Sequence, residues 1–98
     1  MVRHIVFWNF HDGANGLSKP EIMARVKREL EALVGVVPGL LKAEVGVGFN
    51  PNGFDCCLYS EFESAQALDG YQEHPAHVAV KGFVHQVVAA RAVCDYEL

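Results

Sequence analysis

A chain of 98 residues, 51% hydrophobic and 20% charged, reads as one domain over residues 1–98, too short for two independent cores. The formal net charge is −4, and the one basic cluster, Arg25 to Arg28, is offset by Glu21, Glu29 and Glu31; nucleic acid is therefore a poor candidate partner. No apolar run approaches the roughly 20 residues that cross a bilayer and "MVRHIVFWNF" lacks the marks of a signal peptide, so no membrane partner is expected.

Residues 3–11, "RHIVFWNFH", are rich in β-branched and aromatic residues and predict a strand. One face carries His4, Val6, Trp8 and Phe10, the other Arg3, Ile5, Phe7, Asn9 and His11, and both are apolar enough at the centre to expect burial on both sides. "DGANG" breaks the pattern, and "SKPE" at 18–21 is a capping box that opens a helix. Ile22, Val26, Leu30, Leu33 and Val37 give that helix one apolar stripe, with Pro38-Gly39 as its expected end.

"LKAEVGVGF" (41–49) alternates as a second strand, with Val45, Val47 and Phe49 on one face, and "NPNG" turns it into a third, "DCCLYSEF" (55–62). Cys56, Leu58, Ser60 and Phe62 share a face of that third strand. Ser64 caps a short helix through "AQALDGY", and His74-Pro75 starts another that runs to about residue 89. "ARAVCDYEL" closes the chain as a fourth strand. The order is that of an α+β, ferredoxin-like βαββαβ fold with a four-stranded antiparallel sheet and helices on one face. Its other face would hold Ile5 and Phe7, and an apolar face left open calls for a second copy; a homodimer through that face, a dimeric α/β barrel, is the expectation.

The chemistry concentrates in "GYQEHPAHVAV" (70–80). On a helix from Pro75, His77 falls inside the apolar arc of Ala76, Val80, Phe83, Val84, Val87 and Val88, while Lys81 and His85 flank it. An inward histidine is held neutral by burial and can accept a proton, with Tyr71 to orient it or polarise a carbonyl. His4 lies on the inner face of the first strand if Val6 and Trp8 do. Two other readings fit the same pattern: a histidine satisfied within the core, and a metal ligand through His74, His77 and His85. The metal reading lacks a companion carboxylate or thiolate, and no metal site is expected. Cys56, Cys57 and Cys94 are an odd number, and the adjacent two point to opposite faces of a strand. Reduced thiols in the cytoplasm are the expectation.

Taken together, "MVRHIVFWNF", "FES" at 62–64, "YQEHPAHVAV" and the closing "AVCDYE" resemble the stress-responsive A/B barrel (Dabb) family over nearly the whole chain. The resemblance implies ferredoxin-like dimers of the cytoplasm, most without an assigned activity. It also implies kinship with a plant polyketide cyclase, olivetolic acid cyclase, which closes a linear polyketide by aldol condensation without a cofactor. The catalytic pair of that enzyme falls on Tyr71 and His77 and a further pocket histidine on His4. A first-helix tyrosine falls on Leu30, a pocket leucine on Trp8, which narrows the pocket, and a third-strand histidine on Cys56. A divalent ion such as magnesium near the dimer interface has precedent in the family, but no acidic cluster here asks for one.

The expected function is binding of a small apolar molecule in a pocket lined by His4, Val6, Trp8, Leu30 and Leu58, with cofactor-free cyclase-like proton transfer by Tyr71 and His77 as its enzymatic form. The rivals are a cofactor-independent oxygenase with a larger pocket and a non-catalytic, stress-protective dimer. A cavity at His77 discriminates: about 300 Å³ marks the lower end of ordinary ligand pockets, a narrower one favours small acyl substrates, and none favours the structural role.

Overall fold

A computed structural model describes residues 1–98. The elements are β1 (Val2–Phe10), a 3-10 turn (Ala14–Gly16), α1 (Lys19–Glu31), β2 (Leu40–Val47), β3 (Cys56–Phe62), α2 (Ala65–Glu73), α3 (Pro75–Val87) and β4 (Val88–Glu97). The strands form one antiparallel sheet in the order β2-β3-β1-β4. This is the ferredoxin-like fold.

Because side chains alternate along a strand, the register fixes which residues share a face. His4 lies opposite Ser60 of β3 and Asp95 of β4, and Trp8 opposite Cys56 and Arg91. That face, with Val2, Val6, Phe10, Leu58 and Phe62, meets Ile22, Val26 and Leu30 of α1 and Val80, Phe83, Val84 and Val87 of α3 in one core. Val6 is 1% exposed whereas its neighbour Phe7 is 38% exposed. The expectation of two buried faces thus holds for one only, since nothing in a single chain covers the other.

The capping box of α1 is as expected, and α3 starts at Pro75 as read. Ser18 Oγ accepts from the backbone N–H of Glu21 at 3.3 Å, and Glu21 Oε1 accepts from that of Ser18 at 3.0 Å. His74 Nδ1 accepts from the Ala76 backbone N–H at 3.1 Å, so this histidine is an N-cap. α1 is shorter than its apolar stripe implied, ending at Glu31 rather than at Pro38. Leu33 and Val37 remain buried, but on turns closed by Leu33 N–H to Leu30 and Val36 N–H to Leu33. "VGVV" (34–37) explains the difference: three β-branched residues favour helix weakly, and Gly35 sits at φ 87°.

β2 ends at Val47, which leaves Phe49 outside the strand and fully exposed. α3 ends at Val87, two residues earlier than read, because β4 begins at Val88 with no intervening turn. At the start of β2, Gly39 (φ 80°) approaches α2 so closely that a Cβ there would lie 2.5 Å from that of Ala67. Glu31, the last residue of α1, ties the helix to the edge strand: its Oε2 accepts from Lys27 Nζ at 2.7 Å and from the Val45 N–H at 2.9 Å.

Candidate functional site

The sheet's covered face and the two helices above it leave a cavity of about 140 Å³ between β1, α1 and α3. All seven residues singled out from the sequence line it: His4, Val6, Trp8, Leu30, Leu58, Tyr71 and His77. β1 contributes the floor through the alternation that points His4, Val6 and Trp8 inward. Leu30 comes from the buried stripe of α1, and Tyr71 from the last turn of α2. His77 comes from the first turn of α3, placed there by the His74 cap and Pro75.

Tyr71 and His77 are both buried, and their rings are stacked, with centroids 3.8 Å apart and planes at 24°. The two are not hydrogen-bonded to each other directly. Face-to-face packing is what six residues across the α2–α3 corner permit. His77 Nδ1 is buried without a hydrogen-bond partner of good geometry. Phe62 meets Tyr71 edge-on at 4.9 Å and His4 does so at 6.1 Å, so aromatic contacts fix the tyrosine on both sides.

Burial sets the protonation states. It is the main cause that lowers His77 from 6.5 to about 4. The charge of Lys81 pushes the same way, and the backbone carbonyls of Tyr71 and Gln72 oppose both, although neither reaches Nδ1 in good hydrogen-bond geometry. Burial also pushes the Tyr71 phenol well above 10. At neutral pH the pair is therefore an uncharged imidazole, which can accept a proton, beside an intact phenol, which can donate a hydrogen bond. His4 is anchored differently: its Nδ1 donates to Asp95 Oδ1, while Ser60 Oγ donates to the His4 carbonyl at 2.8 Å.

The model of the stress responsive A/B barrel domain family matches residues 2–98. The chain belongs to this family. An uncharacterized protein of Streptomyces coelicolor is 32% identical over 99 residues, covering 99% of each chain. Among solved structures, a dimeric protein of unknown function and ferredoxin-like fold from Bacteroides fragilis superposes with a TM-score of 0.85 at 33% identity, covering 99% of this chain and 95% of that one. A hydroxynitrile lyase from Passiflora edulis superposes with a TM-score of 0.82 at 19% identity, covering 99% and 92%, which shows a shared fold.

Within this family member, sequence reasoning overlooked the mouth of the cavity. Gln72, Lys81, His85 and Arg91 also line it. Lys81 and His85 lie on the flank of the apolar arc of α3, on its more accessible side. The signal for Arg91 was its position opposite Trp8, which only the β1–β4 register reveals. Asp95 was visible merely as part of the closing motif. No set of three or more His, Cys, Asp or Glu side chains is arranged to hold a metal ion.

Proposed function

We propose that this A/B barrel protein is a cofactor-free proton-transfer enzyme for a small carbonyl compound, related in its chemistry to olivetolic acid cyclase. The observation that carries the reading is the Tyr71–His77 pair itself: two stacked, buried rings, one a neutral acceptor and one a neutral donor, both lining one cavity. The carbonyls of Tyr71 and Gln72 act on the imidazole, but Nδ1 meets no partner in good hydrogen-bond geometry. An under-satisfied buried polar atom costs about 1–3 kcal/mol, which favours a ligand that supplies the missing bond. In the reaction, the imidazole takes a proton from the carbon beside the substrate carbonyl. The Tyr71 hydroxyl donates to the enolate oxygen. The imidazolium then gives its proton back to that carbon, or, where the enolate carbon has attacked a second carbonyl to form a C–C bond, to the alkoxide oxygen left there. His4, Val6, Trp8, Leu30 and Leu58 shape the space.

The volume bounds the substrate. About 140 Å³ is close to a cavity of ~150 Å³ known to hold benzene. A small acyl or keto compound fits this, and the larger phenolic substrate of an oxygenase does not. The protein further acts as a homodimer through the open face of the sheet, where Phe7 and Phe54 pair at 5.6 Å. The Bacteroides relative is described as dimeric, which supports the same assembly here. Three free cysteines fit a reducing compartment, and the cytoplasm is the location this implies.

The test is exchange of α-protons for deuterium in a panel of small ketones and keto acids, followed by NMR. Wild-type protein is expected to exceed the buffer rate. His77→Ala should lose roughly 10²-fold or more, the scale of general-base catalysis. Exchange that survives His77→Ala, or never rises above buffer, removes the catalytic reading.

A further inference from the structure

The floor and mouth of the cavity differ in charge. In a chain with 12 acidic and 8 basic side chains, no carboxylate lines the cavity, while Lys81, His85 and Arg91 all do. The three are also the accessible end of the site: His85 and Arg91 are exposed and Lys81 half-buried, against the buried His4, Trp8 and Tyr71 below. None is in an ion pair; Lys81 donates only to the Gln72 carbonyl, at 3.1 Å. Two elements converge to build this rim. Lys81 and His85 are one turn apart on α3, and Arg91 projects from β4 on the helix-covered face because it stands opposite Trp8. That face is not the one assigned to self-association.

We propose that the substrate is a small oxo acid, held with its carboxylate at Lys81 and Arg91 and its carbonyl end down at Tyr71 and His77. This deepens the proton-transfer reading and rests on it for the reaction. Unpaired cations at the neck of a low-dielectric cavity favour an anion entering it, and Arg with Lys offers charge-assisted hydrogen bonds to a carboxylate. The depth fits as well, since a cavity of benzene's size leaves room for a short carbon chain between rim and floor. An anion there also corrects a weakness of the empty site. Lys81 is one of the groups that depress His77, and a carboxylate beside it offsets that repulsion and makes the imidazole a stronger base. Substrate binding then prepares its own catalyst.

Trp8, the single tryptophan, lines the cavity and reports its occupancy by fluorescence. Acetoacetate and its neutral amide, acetoacetamide, have nearly the same shape and differ in charge. Acetoacetate is expected to perturb Trp8 at lower concentration than acetoacetamide. Lys81→Gln and Arg91→Gln should each weaken acetoacetate about tenfold, the scale of one charge-assisted hydrogen bond, and leave acetoacetamide unchanged. Equal binding of acid and amide, binding of neither, or acetoacetate affinity unchanged in both variants overturns the proposal. So does displacement of acetoacetate by inorganic phosphate at matching concentration, which would make the rim a phosphate site. Because binding is read without turnover, anion selectivity with no α-proton exchange refutes the catalytic reading alone, and exchange on acid and amide alike refutes the anion rim alone.

Discussion

The two faces of β1 are built from interleaved residues of one strand and do opposite work. His4, Val6, Trp8 and Phe10 point beneath the helices, where they complete a core and the floor of a cavity. Ile5 and Phe7 point away, onto a face with no helix over it. The difference shows how little chain a site needs. A period of two places a packing surface and an assembly surface back to back, with every second residue assigned to each. It also predicts that neighbouring substitutions fail in different ways.

Val6→Asp is expected to have the largest effect. The side chain is almost fully enclosed, and an unpaired charge there costs about 3–5 kcal/mol, a large share of the ~5–15 kcal/mol that stabilise a small domain. Loss of a cooperative thermal transition is the expected result, and a melt close to wild type would show that the floor of β1 is not part of the core. Phe7→Asp, one residue on, should retain the fold and abolish self-association, because the charge would be buried only in the dimer. Light scattering at micromolar concentration reads this directly: wild type as a dimer, the variant as a monomer. A wild-type monomer would break the comparison, since the second face would then have no occupant.

How much of this was legible in the sequence divides along the same strand. The inward face was readable because its hydrophobic alternation, the capping box at Ser18 and the cap at His74 are local signals, and they place His4, Tyr71 and His77 before any tertiary contact is known. The end of α1 was misread because the apolar stripe persists through Leu33 and Val37 after the helix has stopped; periodicity reports burial, not hydrogen bonding. The stacking of Tyr71 on His77 and the placing of Arg91 opposite Trp8 were out of reach. The first depends on the exact angle of a helix corner, the second on a strand register between segments far apart in the chain.

A smaller, graded effect is expected from pH. His77 is held near 4 in the fold and returns to about 6.5 when unfolded, so the unfolded state binds more protons between those values. Stability therefore rises with pH across this window: the contribution is complete above about pH 6.5 and lost progressively as pH falls towards 4. The size is on the order of 2 kcal/mol, reduced from the full shift because the ring edge meets the open cavity. Denaturant melts of wild type and His77→Gln at both ends of the window measure it. The wild type should lose more stability than the variant on acidification, and parallel losses would mean that the ring is already protonated or solvated near neutral pH.

The smallest perturbation sharpens the comparison without changing stability at all. Cys56 and Cys57 are adjacent on β3, and the register sends Cys56 to the face of Trp8 and Cys57 to that of Phe7; Cys94, opposite Ile5, joins Cys57 on the open face. Cys56 is buried and its thiol is pushed up to about 12, mainly by that burial, so almost no thiolate exists at neutral pH. Iodoacetamide should thus leave Cys56 untouched in the folded protein while modifying Cys94 and, more slowly, the half-buried Cys57. In the Phe7→Asp variant both open-face thiols should react at any protein concentration. In wild type, Cys57 should become protected as concentration rises and the dimer forms, because the reagent reacts only where the face is free. Peptide mass mapping after a brief pulse distinguishes the three sites. Labelling of Cys56 ahead of Cys57 would reverse the assignment of the two faces, and concentration-independent labelling of Cys57 would place the dimer contact away from Phe7.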